Sequence, residues 1–119
     1  MEQLRIVDLL TMNTGHVKEP KLNAGEGDWE FNFLNSDIQF MPGTHFLYNT
    51  PATFMLSSII QKVSGEMLVD YLYPRLFEPL GIEKPDWEMN EAGVNVGGWG
   101  LHLKTEDIAK FGLLYLNKG

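Results

Sequence analysis

The sequence predicts a mainly α-helical fold with irregular loops and little or no sheet. Three observations predict it. Apolar residues recur at helical spacing in Leu56, Ile59, Ile60 and Val63, and again in Ile108, Phe111, Leu114 and Tyr115, each set marking one helix face. A start signal precedes each run: Thr50-Pro51 for the first, Thr105 with Glu106-Asp107 for the second. Threonine caps a helix, proline suits its first position, and acidic side chains suit its positive end. The candidate strand, Trp29 to Phe33, is only five residues long, short for a sheet element.

In chain order, residues 4–13 read as a short helix with Ile6, Leu9, Leu10 and Asn13 on one face and Gly15 as its stop. Residues 18–28 are polar and contain Pro20, Gly25 and Gly27, the composition of an exposed loop. A helix over residues 30–36 fits as well as the alternating strand beginning at Trp29. Pro42-Gly43 is a turn, and residues 44–48 are extended or irregular. The clearest helix follows, with Thr50 as cap and Gly65 as end. Ser64 is placed to cap the next helix, which carries Met67, Leu68, Tyr71, Leu72, Leu76 and Phe77. Pro74 interrupts or kinks it, and Pro79-Leu80-Gly81 closes it. Residues 82–103 read as irregular, with Gly93, Gly97, Gly98 and Gly100 around Val94, Val96 and Trp99. The last helix begins at Thr105 and ends at Asn117-Lys118-Gly119.

At 119 residues, 44% apolar and 21% charged, the chain is sized and composed for one ordered domain. Sixteen acidic residues against nine basic give a net charge of −7. That argues against nonspecific binding to nucleic acid or anionic lipid, both of which need a cationic surface. With no cysteine, thiolate zinc sites, disulfides and thiol nucleophiles are excluded. No apolar run reaches the roughly 20 residues of a membrane span, and Met1-Glu2-Gln3-Leu4-Arg5 does not open a signal peptide.

Chemistry-bearing patterns are sparse. His16, His45 and His102 form no ligand spacing, so no metal site is expected, and solvated or locally hydrogen-bonded histidines are the simpler reading. The glycine cluster has no phosphate-loop register, so no nucleotide cofactor is expected. The carboxylates are too scattered to support a glycosidase pair. Ser36, Ser57, Ser58 and Ser64 are followed three residues later by Gln39, Ile60, Gln61 and Met67, never by the lysine that activates a serine in the Ser-x-x-Lys pattern.

Tyr48 is the informative residue, because it stands close before a helix start. A phenol acting as base near neutrality needs about three pKa units of depression, roughly 4 kcal/mol. A helix end supplies about 0.3–1 kcal/mol of that. The rest calls for cations, and no lysine or arginine lies between Lys21 and Lys62. On its own, Tyr48 reads as an ordinary amphipathic tyrosine.

Six blocks in order change that reading. They are residues 5–16 (RIVDLLTMNTGH), Pro42-Gly43 through Tyr48-Asn49-Thr50, residues 59–65 (IIQKVSG), residues 76–82 (LFEPLGI), residues 97–101 (GGWGL), and residues 106–112 (EDIAKFG) on to the end. Together they resemble the serine beta-lactamase-related family, which takes in class C beta-lactamases, related penicillin-binding proteins and esterases.

The resemblance implies a helical subdomain of a beta-lactamase/transpeptidase-like fold, a fragment of a larger serine hydrolase. It also implies two partner elements outside residues 1–119: a Ser-x-x-Lys nucleophile upstream and a Lys/His-Thr/Ser-Gly strand downstream, on a sheet domain. Tyr48 would be the general base or proton relay, and Thr50 and Asn49 would lie beside substrate. Thr50 stands where the family carries asparagine, which makes an ester or small amide substrate at least as apt as a beta-lactam. The fragment itself is expected to be inactive, and its parent to act outside the cytoplasm. The alternative is a non-catalytic helical interaction module, favoured by Trp29, Phe31, Phe33, Phe40, Trp87 and Trp99. Both readings imply self-association through exposed apolar faces.

Overall fold

A computed structural model describes residues 3–23 and 27–119. Gly25 of the predicted loop, and Met1 and Glu2 of the predicted start, lie outside the described residues. The elements are α1 (Ile6–Leu10), α2 (Trp29–Leu34), α3 (Thr50–Ser64), α4 (Leu68–Leu72), a π turn (Tyr73–Phe77), β1 (Asp86–Trp87), β2 (Leu101–His102) and α5 (Thr105–Leu116). The fold is mainly helical, and the sheet among the described residues is two short antiparallel strands. Residues 1–59 and 60–119 form two compact units.

In the first unit, α1 is shorter than predicted, and only Leu9 of its expected apolar face is buried, while Ile6 and Leu10 are exposed. The helix is set instead by Asp8, whose carboxylate accepts the Arg5 backbone N–H at 2.9 Å and the guanidinium Nε and Nη2 at 3.1 and 2.9 Å. That side-chain hydrogen bond from Arg5, with the backbone one, holds the Asp8 carboxyl below its ordinary range. Residues 12–16 then run beside residues 39–49. Gly15 C=O accepts from the Phe40 N–H at 3.0 Å, Asn13 C=O from Gly43 at 2.7 Å, and Met12 C=O from Leu47 at 3.0 Å. Gly15 is required at this crossing: its φ is +87°, and a Cβ there would lie 2.2 Å from the Phe40 carbonyl oxygen.

Trp29–Leu34 is a helix, not a strand, because the Asp28 carboxylate caps it by accepting the Phe31 N–H at 2.7 Å. Helical geometry splits the alternating aromatics, burying Phe33 and exposing Phe31. The face of α3 also differs from expectation. Ala52, Phe54, Met55 and Ser57 are buried, whereas Val63 is exposed. The Trp29 ring meets Phe54 edge-on at 5.0 Å, so the first two turns of α3 carry the apolar burial. Phe33 and Phe54 are each fully buried, contributing about 1.5–3 kcal/mol apiece.

The second unit has a smaller apolar interior of Val69, Phe77, Ile82, Val94 and Val96. Ser64 does not cap α4. Its hydroxyl instead accepts the Glu66 N–H at 3.1 Å, and Met67 stands at the cap position without a side-chain bond. The missing acceptor comes from far along the chain: Asn95 Oδ1 accepts the Val69 N–H at 3.0 Å. Pro74 does interrupt the helix, as a π turn in which the Glu78 N–H reaches the Tyr73 carbonyl at 2.8 Å.

The glycine-rich segment is less irregular than its composition implies. β1 pairs with β2 through Asp86↔His102 and Trp87↔Leu101, and Met89 bridges to Asn95. The α5 cap is Lys104 rather than Thr105. Lys110 donates to the Gly81 carbonyl at 2.7 Å and to Asp107 at 2.9 Å, tying α5 to the turn after Pro79. The expected inner face of α5 is largely uncovered: Ile108, Phe111 and Tyr115 are exposed, and Asp107 is the buried residue.

Candidate functional site

Tyr48 is held by its neighbours rather than by its own ring. Leu47 N–H donates to the Met12 carbonyl, and Asn49 N–H lies 3.3 Å from the Met12 sulfur. Between these anchors the Tyr48 side chain is 68% exposed, and among the described residues no hydrogen bond or ion pair reaches its hydroxyl. Thr50 is the first residue of α3 rather than its cap. Asn49 caps the helix, its Oδ1 accepting the Ala52 N–H at 3.1 Å. Tyr48 therefore stands immediately before the N-cap of α3.

Asn49, expected beside substrate, is fully buried, and its side chain is engaged by neighbours within the chain. Its Nδ2 donates to Thr14 Oγ1 at 3.0 Å. Thr14 Oγ1 lies 2.8 Å from His16 Nδ1, and His16 Nε2 lies 2.6 Å from Ser36 Oγ. Ser36 Oγ in turn donates to the Phe33 carbonyl.

Asn49 Nδ2 also lies 3.5 Å from His16 Nδ1, and one proton arrangement gives both hydroxyls and the ring N–H an acceptor. Thr14 already accepts from Asn49, so its own O–H must point at His16 Nδ1. His16 then carries its proton on Nε2 and donates it to Ser36, whose O–H serves Phe33. The imidazole is neutral, and burial pushes its pKa below 6.5, partly opposed by Asp37.

Ser36 and His16 look like a nucleophile and its base, but this proton order removes that role. A base needs a free lone pair toward the serine, and here Nε2 presents a hydrogen. The pair is a structural link from the end of α2 to the start of α3.

A cleft of about 320 Å³ opens beside it, lined by His16, Val17, Lys18, Glu19, Pro20, Ser36, Asp37 and Gln39. Glu19 in its wall accepts the Thr50 N–H at 2.8 Å. A carboxylate at the α3 start is favourable to the helix.

Among the described residues no group of three histidine, aspartate or glutamate side chains is placed to hold a metal ion, and no helix is long and apolar enough to cross a membrane. No protein-family model matches the chain, and no curated protein matches it. The residues that sequence reasoning missed are Thr14, Ser36 and the interior part of His16. They are up to 35 positions apart from Asn49, and no local pattern joins them.

Proposed function

We propose that this chain is the helical part of a serine hydrolase of the beta-lactamase-related type, in which acyl transfer runs through a serine ester and Tyr48 moves the proton. The observation that carries the reading is the position of Tyr48: an exposed side chain directly before the cap of α3, held on one side by the Leu47 N–H on the Met12 carbonyl and on the other by the buried Asn49. The order of the six sequence blocks supports it. The nucleophile and its lysine would come from the remainder of the hydrolase. Thr50, at the first turn, would lie beside substrate, and its hydroxyl suits an ester or small amide.

The test has two arms. Residues 1–119 alone are expected to show no saturable turnover of a chromogenic beta-lactam or a short-chain nitrophenyl ester; a serine-dependent burst would refute that. The protein encoded by the complete reading frame is expected to label with a fluorophosphonate. Its Tyr48→Phe variant should lose about 10²–10⁴-fold in kcat, the range of general acid–base catalysis. Full activity in that variant overturns the assignment.

The second reading, a non-catalytic interaction module, is favoured by α5, where Ile108, Phe111, Leu113, Tyr115 and Leu116 are exposed. An open reading frame without Ser-x-x-Lys upstream would support the module over the enzyme.

A further inference from the structure

We propose that His16 is a positioning residue for Tyr48: neutral and carrying its proton on Nε2, it holds the buried chain from Ser36 to Asn49 that fixes the backbone beside the phenol. The purpose of this arrangement rests on the hydrolase reading; its physics does not. The chain runs Ala52 N–H to Asn49 Oδ1, Asn49 Nδ2 to Thr14 Oγ1, Thr14 to His16 Nδ1, His16 Nε2 to Ser36, and Ser36 to the Phe33 carbonyl. Thr14, His16 and Asn49 are each almost wholly shut off from solvent, so no water replaces a lost partner cheaply.

Protonation breaks this chain at one point. A second proton, on Nδ1, must be donated to Thr14 Oγ1, and the Thr14 O–H then loses its acceptor inside the protein. The Asn49 amide, its neighbouring donor, is left with a reoriented partner, and the anchor on the C-terminal side of Tyr48 loosens. The charged and titratable groups that line the same cleft as His16 are Lys18, Glu19 and Asp37, and Asp37 is the one that acts on the ring. Asp37 favours the charged ring, but burial outweighs it. The neutral form is therefore the folded one, and the coupling is lost as pH falls below 6.5.

The test is by nuclear magnetic resonance on the chain itself. Long-range nitrogen spectra of His16 are expected to show the Nε2–H tautomer at neutral pH. As pH falls below neutrality, the Tyr48 ring signals and the Ala52 amide are expected to move with the His16 midpoint, which lies below 6.5. Thr14→Val should remove that coupling and speed Ala52 amide exchange roughly tenfold, the loss of one buried hydrogen bond; Thr14→Ser should restore both.

An Nδ1–H tautomer overturns the proposal, as do Tyr48 signals that stay flat while His16 titrates. If Thr14→Val does not fold, the titration of the unaltered chain decides alone. None of these readouts involves hydrolysis, so a failed activity assay counts against the hydrolase reading and leaves the coupling standing.

Discussion

Each of the two units turns a wholly buried asparagine toward the start of a helix, but by opposite routes. Asn49 caps the helix that follows it and uses its amide donors on the Thr14–His16 chain. Asn95 reaches back across 26 positions to cap α4 at Val69, with its Nδ2 on the Trp87 carbonyl. The first asparagine is wired to a titratable ring, and the second holds the main chain at Val69 and Trp87. Similar burial thus serves two routes, a cap on the residues that follow in one unit and a long-range cap in the other. The helices differ likewise: α3 buries Ala52, Phe54, Met55 and Ser57, whereas α5 leaves most of its apolar residues open.

The largest effect expected from breaking this contrast is on the first unit's core. Phe54→Ala should cost about 3–5 kcal/mol, read from the urea midpoint; a loss under about 1 kcal/mol would mean that the first turns of α3 are not the core. Next come the asparagines. Asn95→Ala strands the Val69 N–H and should cost about 1–3 kcal/mol. Asn49→Ser keeps an equivalent cap and should lose less, about 1 kcal/mol, chiefly through Thr14. Equal losses would erase the distinction between them.

The pH responses should separate the units. The depressed His16 pKa means that the unfolded chain binds more protons just below 6.5, so first-unit stability is fully present above that value and declines below it. In the second unit, the hydrogen bond from Lys110 holds Asp107 below its ordinary 3.8. Its contribution is present above 3.8 and is lost only as pH falls further. Amide-resolved urea titrations at a series of pH values would show the two onsets, and a common onset would contradict both assignments.

The smallest effect is expected on α5. Leu116→Lys should change stability by less than about 0.5 kcal/mol while lowering any self-association seen by light scattering at high concentration.

Local chemistry was legible in the sequence. Thr50-Pro51 marked the start of α3 to within one residue, and Pro74 marked a real interruption. Burial was less legible, because periodicity names the face that something can cover and not what covers it. Ile108, Phe111 and Tyr115 lie at helical spacing, as read, yet they are exposed. The two-residue strands gave no pattern to detect, since Asp86 and Leu101 alternate with only one neighbour each. Tyr48 was singled out by its place before a helix, but the Thr14–His16–Ser36 chain that braces it is assembled by the crossing at Gly15, a tertiary event. The same crossing explains why Asn49, read as a substrate contact, points inward.

The π turn has a consequence for how this chain tolerates length changes. Between Tyr73 and Glu78 the backbone takes up one residue more than an α-helix would, and Phe77 is buried at the end of it. Each residue of an α-helix turns by about 100°. Winding the same residues into regular α geometry would swing Phe77 off its mark by that angle. Excising a single residue there would close the slack and leave the ring aimed as before. A deletion in this short stretch is therefore gentler than a straightening, the reverse of what a helix interior normally permits.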